Sequence, residues 1–88
     1  MNFNEMEKIL DEMNKLLRRK NEMYGDGNID KMCKQGVLVR LEEKIERLKH
    51  LLKEGKNPEE ETVEDTWKDI TGFGIIGLML ERGKWKDG

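Results

Sequence analysis

Cys33 is the only cysteine among the 88 residues. That excludes an intrachain disulfide and any cysteine cluster able to hold a metal. A lone thiol of this kind is expected to be a small buried apolar residue. Proline is as scarce, with Pro58 the only one. Long apolar runs are missing as well. The longest, Gly72 to Leu80, is too short to span a bilayer. The opening Met-Asn-Phe-Asn-Glu-Met-Glu has neither a basic n-region nor an apolar h-region, so no signal peptide is expected. A cytoplasmic location follows as the expectation. There is no excess of either charge: 17 basic and 19 acidic residues leave −2. A general binder of nucleic-acid polymers would carry a basic surplus. No glycine-rich phosphate loop is present, because Gly25 and Gly27 do not precede a Lys-Ser/Thr pair. His50 is the only histidine, with no Ser or Cys partner in view, and reads as a solvated helix residue.

Charge, by contrast, is abundant. Charged residues make up 41% of the chain, well above the usual quarter. Residues 1–88 are enough for a single small domain with a modest core, and chains of this size commonly complete that core by homo-oligomerisation. The periodicities predict an all-α, small antiparallel bundle of three main helices and a short one. Residues 4–23 form the first, capped by Asn4, with Met6, Ile9, Leu10, Met13, Leu16, Leu17 and Met23 on one face. Tyr24 to Asn28 is turn-rich. Residues 29–35 read as a short helix before Gly36, a residue that permits a kink or a close contact. Residues 37–54 form the central helix, whose apolar stripe is Leu38, Leu41, Ile45, Leu48 and Leu52. Gly55 and Asn57-Pro58 end it. Residues 63–82 form the last helix, opened by Thr62-Val63-Glu64-Asp65 as a near capping box. Its run Phe73 to Leu80 is apolar nearly all round, and Gly74 and Gly77 would admit a close neighbour. A subunit interface is expected there. Trp85 is expected to pin the short tail.

Functional expectations centre on the middle helix. Arg40, Lys44 and Arg47, with Glu43 at their edge, lie beside its apolar stripe rather than opposite it. Asp65 and Asp69, at i and i+4 on the last helix, lie beside that helix's packed face. A short link makes the two helices antiparallel, so these acids could face the three cations. One reading is an interhelical ion-pair network. The other is a polar pocket in which the cations hold phosphates and the acids bind Mg²⁺. Tyr24 could stack on a base, with Asn28 nearby. Glu42 to Glu46 spells E-E-x-x-E and Glu61-x-x-Glu64 spells E-x-x-E, matches that arise easily in so acidic a chain.

Tyr24-Gly25, Asn28, Gly36-Val37, Arg40, Glu43-Lys44, Arg47-Leu48, Glu64-Asp65-Thr66, Asp69-Ile70 and Phe73 together resemble the nucleotide modification associated domain family, small and mostly phage-encoded helical proteins. The resemblance covers about residues 20–82. Glu43 stands where the family often has Asp, and Phe73 where it often has Tyr. That family is similar in style to MazG-type all-α nucleoside triphosphate pyrophosphohydrolases, which bind Mg²⁺ through E-x-x-E and E-x-x-D on successive helices and assemble as dimers or tetramers. Here the second motif is broken, since Trp67 stands three residues after Glu64. The resemblance implies a nucleotide-facing homo-oligomer. Arg40, Lys44, Arg47, Tyr24 and Asn28 are its candidate ligand residues. Asp65, Asp69 and Glu43 are its candidate Mg²⁺ ligands. The expected activity is binding without turnover, such as sequestration of a host defence signal. A Mg²⁺-dependent pyrophosphohydrolase and a structural helical oligomer are the alternatives.

Overall fold

A computed structural model describes residues 1–86 of the chain. These residues form an all-helical bundle of α1 (Phe3–Tyr24), α2 (Gly27–Glu54) and α3 (Val63–Glu81), with no strand among them. No helix among the described residues is long and apolar enough to cross a membrane.

Local chemistry sets the helix ends. Asn2, rather than Asn4, caps α1: its side chain accepts from the Glu5 amide at 3.0 Å. Gly25, in the left-handed region at φ 69°, closes the same helix. Only Gly25 and Asp26 separate α1 from α2, so the predicted turn at Tyr24–Asn28 is shorter than expected. Gly55 closes α2 at φ 63°, the left-handed geometry glycine adopts without steric cost. Thr62 and Asp65 complete a reciprocal capping box at α3, each side chain accepting the other's backbone amide at 3.0 Å. Asn57 adds an acceptor for the Val63 amide at 3.0 Å.

The predicted short helix and central helix are one element, α2. It is interrupted at Cys33, where φ is 56° and ψ is −167°. The kink therefore sits three residues before Gly36, and Cys33 is exposed at the bend rather than buried. Gly36 has the other role foreseen for it, a close contact. A methyl group there would overlap Cβ and Cγ of Met32.

Helices α2 and α3 run antiparallel. Their cross-links pair Arg47 with Glu61, Lys44 with Asp69 and Lys34 with Glu81, one sequence falling as the other rises. Trp85 and Lys86 extend the series by binding Asp30 at 3.0 and 2.8 Å, so Trp85 does pin the tail. The face of α2 that packs is Val37, Leu41, Lys44, Leu48 and Leu51. It is rotated from the predicted stripe toward the cations, which leaves Leu38, Ile45 and Leu52 exposed. The core is small: Met13, Ile29, Val37, Leu48 and Leu51, with Thr66. α1 crosses α3 near Met13 and Leu17, which pack over Gly72. Gly74 and Gly77 face open space.

Candidate functional site

The polar centre of the fold is Asp69. Its position on α3 faces both other helices. Lys20 of α1 donates to Oδ1 at 3.0 Å, and Lys44 of α2 reaches Oδ2 at 3.0 Å. A single carboxylate therefore ties all three helices together. Asp69 keeps 22% of its side chain exposed and Lys44 25%. Burial pushes the Asp69 carboxyl up, but the hydrogen bonds and charges of Lys20 and Lys44 outweigh it and hold the group below its ordinary value. The rotation of α2 that buries Val37 and Leu51 is what brings Lys44 inward.

The remaining predicted residues are spread along the helices. Arg47 donates from Nη2 to the Glu61 carbonyl at 2.7 Å and approaches the Glu61 carboxylate at 3.8 Å. Glu61 has φ 51°, a left-handed turn that brings its carbonyl to the guanidinium. Nε of Arg47 is buried and lacks a hydrogen-bond partner. Arg40 pairs within its own helix, with Glu43 at 3.3 Å. Asp65 spends one oxygen on the Thr62 amide. Glu43, Asp65 and Asp69 are thus each committed to a different partner. No group of three or more His, Cys, Asp or Glu residues among those described could hold a metal ion. The candidate acids do not fit a Mg²⁺ site of their own.

Tyr24 and Asn28 are brought together elsewhere. Both line a groove of about 680 Å³ bounded by α1, the start of α2 and the second half of α3. Ligand pockets typically enclose about 300–1,000 Å³. Leu10, Met13, Leu17, Phe73, Ile76 and Met79 supply apolar walls, and Trp85 closes one side. Arg18, Lys20 and Asp26 add charge. Arg18 donates to the Asn14 amide oxygen at 2.6 Å, a neutral partner that leaves its charge available. A smaller depression of about 220 Å³ lies alongside, lined by Lys44, Asp69 and Lys68 and sharing Lys20, Met13, Leu17, Phe73 and Ile76 with the first. Arg40 and Arg47 line neither.

Sequence reasoning missed Lys20, the charged residue among those common to both depressions. Its signal was present: Met6, Met13 and Lys20 recur at seven-residue steps, which puts a cation on the apolar stripe of α1. Asp30, the anchor of the tail, carried no such signal. Comparison with protein-family models, curated proteins and solved structures finds no match to this chain.

Proposed function

We propose that this chain binds a nucleotide, or a small molecule derived from one, in the groove between α1 and α3, and does not turn it over. The observation that supports this best is the meeting of Tyr24 and Asn28 in one ligand-sized groove with Arg18 and Lys20. A nucleobase offers apolar faces and polar edges. The exposed Tyr24 ring suits the faces, and such stacking is worth ~1–3 kcal/mol per base. The Asn28 amide offers both a donor and an acceptor to an edge. Phosphates would lie toward Arg18, whose planar fork suits two phosphate oxygens, and Lys20. The resemblance to nucleotide-associated small proteins points the same way. Binding without turnover would serve to sequester a signal, as a phage protein would in an infected host. Self-association belongs to this reading, because the protomer core is so small.

Equilibrium dialysis against nucleoside triphosphates, cyclic dinucleotides and ADP-ribose derivatives, with Mg²⁺ or with a chelator, tests the proposal. A retained ligand should be recovered chemically unchanged. Tyr24→Ala should weaken its binding at least about tenfold while the helical circular-dichroism signal stays. Binding that ignores Tyr24→Ala would remove this groove from consideration. Multiple turnover lost in Asp69→Asn would support a pyrophosphohydrolase instead. A structural role is the second reading, favoured by one fact: Arg40, Lys44 and Arg47 each already have an acidic partner. Absence of binding across the whole panel would favour it.

A further inference from the structure

The first half of α1 is largely uncovered, meeting α3 near its end, where Glu12 approaches Lys68 at 4.0 Å and Leu10 lines the groove. Residues 1–12 are all exposed, Phe3, Met6, Ile9 and Leu10 among them. Successive residues rotate by about 100°, so Phe3, Met6 and Leu10 continue the stripe that Met13 and Leu17 bury against α3. A lone half-helix of that length is marginal in water, because nucleation is costly and most helical stability comes from a packed face. Much of its apolar surface has no cover among the described residues.

The surface area points to what covers it. A compact monomer of 10.4 kDa should expose roughly 5,400 Å². This protomer exposes 7129 Å². The excess is comparable to one partner's share of an obligate dimer interface. The radius of gyration agrees, at 14.1 Å against about 12 Å for a globular chain of this length.

Charge says how the cover is oriented. Residues 3–12 hold Glu5, Glu7, Asp11 and Glu12 against Lys8. Residues 13–24 hold Lys15, Arg18, Arg19 and Lys20 against Glu22. The helix is therefore acidic in its first half and basic in its second. Two copies laid parallel would set like charges together. Two copies laid antiparallel set each acidic half on a basic half, a self-complementary arrangement that a two-fold axis generates.

We infer that α1 is the dimer interface of this protein, paired antiparallel with α1 of a second copy. The partner's Phe3 and Met6 then lie beside Leu17 and Tyr24, and the second copy walls the open side of the α1–α3 groove. The pairing itself does not depend on the ligand reading, and its test uses no ligand.

Sedimentation velocity at micromolar concentration should show a dimer. Met6→Glu with Leu10→Glu should give a monomer. The charge order has its own test, which does not depend on those core changes. Glu5→Lys with Glu7→Lys should weaken the dimer about tenfold or more, and so should Arg18→Glu with Arg19→Glu. All four changes in one chain should restore it, because each reversed half then meets its reversed complement. A parallel pair would tighten on the first change instead, and that result would overturn the proposal. So would a monomeric unmodified protein. A dimer untouched by the α1 changes but broken by Ile45→Glu with Leu52→Glu, or by Gly77→Leu, would place the interface on α2 or α3 and equally overturn it.

Discussion

Cys33 holds a backbone conformation that only glycine adopts without cost, at φ 56° and ψ −167°. Its thiol makes just a long contact, 3.8 Å to the Asp30 carbonyl. Cys33→Gly should therefore stabilise the fold by about 1 kcal/mol in urea titration, the relieved strain exceeding the added flexibility of the unfolded chain. Gly36→Ala should do the opposite. Its methyl would overlap Cβ of Met32, which cannot swing away, so a loss of ~1–3 kcal/mol is expected in the same assay. At the start of α3, Thr62→Ala removes the acceptor for the Asp65 amide and should cost ~1 kcal/mol. The Asp65 carboxylate keeps its own bond, because it accepts from the backbone amide of residue 62, which the change leaves in place.

Between elements, Asp69 decides how the three helices sit. Its loss would leave Lys20 and Lys44 facing each other across the joint without a counter-charge. Asp69→Asn should cost ~1–2 kcal/mol, since both lysines keep some contact with water. The pH dependence follows from the same geometry. The Asp69 carboxyl is held below its ordinary value when folded, so the unfolded chain binds the proton more readily. The stabilisation is complete above the ordinary aspartate pKa of ~3.9 and is lost as pH falls through the folded-state value. Thermal melts from neutral pH downward should show this acid loss in the native protein and a smaller one in Asp69→Asn. Arg47 has a different task. It clamps the α2–α3 connection through the Glu61 carbonyl, so Arg47→Gln should loosen that connection and raise amide hydrogen exchange at Thr62 and Val63.

For the whole molecule, the exposed surface is larger than a compact chain of this mass should show, and the uncovered apolar residues lie on more than one helix. Phe3, Met6, Ile9 and Leu10 extend along α1, Leu38, Ile45 and Leu52 along α2, and Trp67 and Leu78 along α3. Stability should then depend on protein concentration. A self-associating fold gains stability by mass action as its concentration rises. The thermal midpoint should rise over a hundredfold concentration series, whereas a monomer's would stay constant.

The sequence by itself determined the helices and most of their ends. Thr62, Asp65 and Gly55 act through backbone groups a few residues away, so their roles are written locally. The apolar repeat of α1 and the antiparallel pairing of α2 with α3 are legible for the same reason, since spacing and a short link decide them. Which flank of a broad apolar stripe packs is not local. In α2 the packed face turned toward Val37, Lys44 and Leu51, because Lys44 there meets Asp69 and still reaches water. The backbone bend at Cys33 likewise had no sequence signal beyond the nearby Gly36. The candidate ligand residues divided along this line. Tyr24 and Asn28 stand close in sequence and share one groove. Arg40, Lys44 and Arg47 stand equally close and share one flank of α2, yet each finds a separate partner. Lys20 and Asp69, separated by 49 positions, were joined by helix crossing alone, and such long-range meetings are fixed by packing in three dimensions rather than by spacing along the chain.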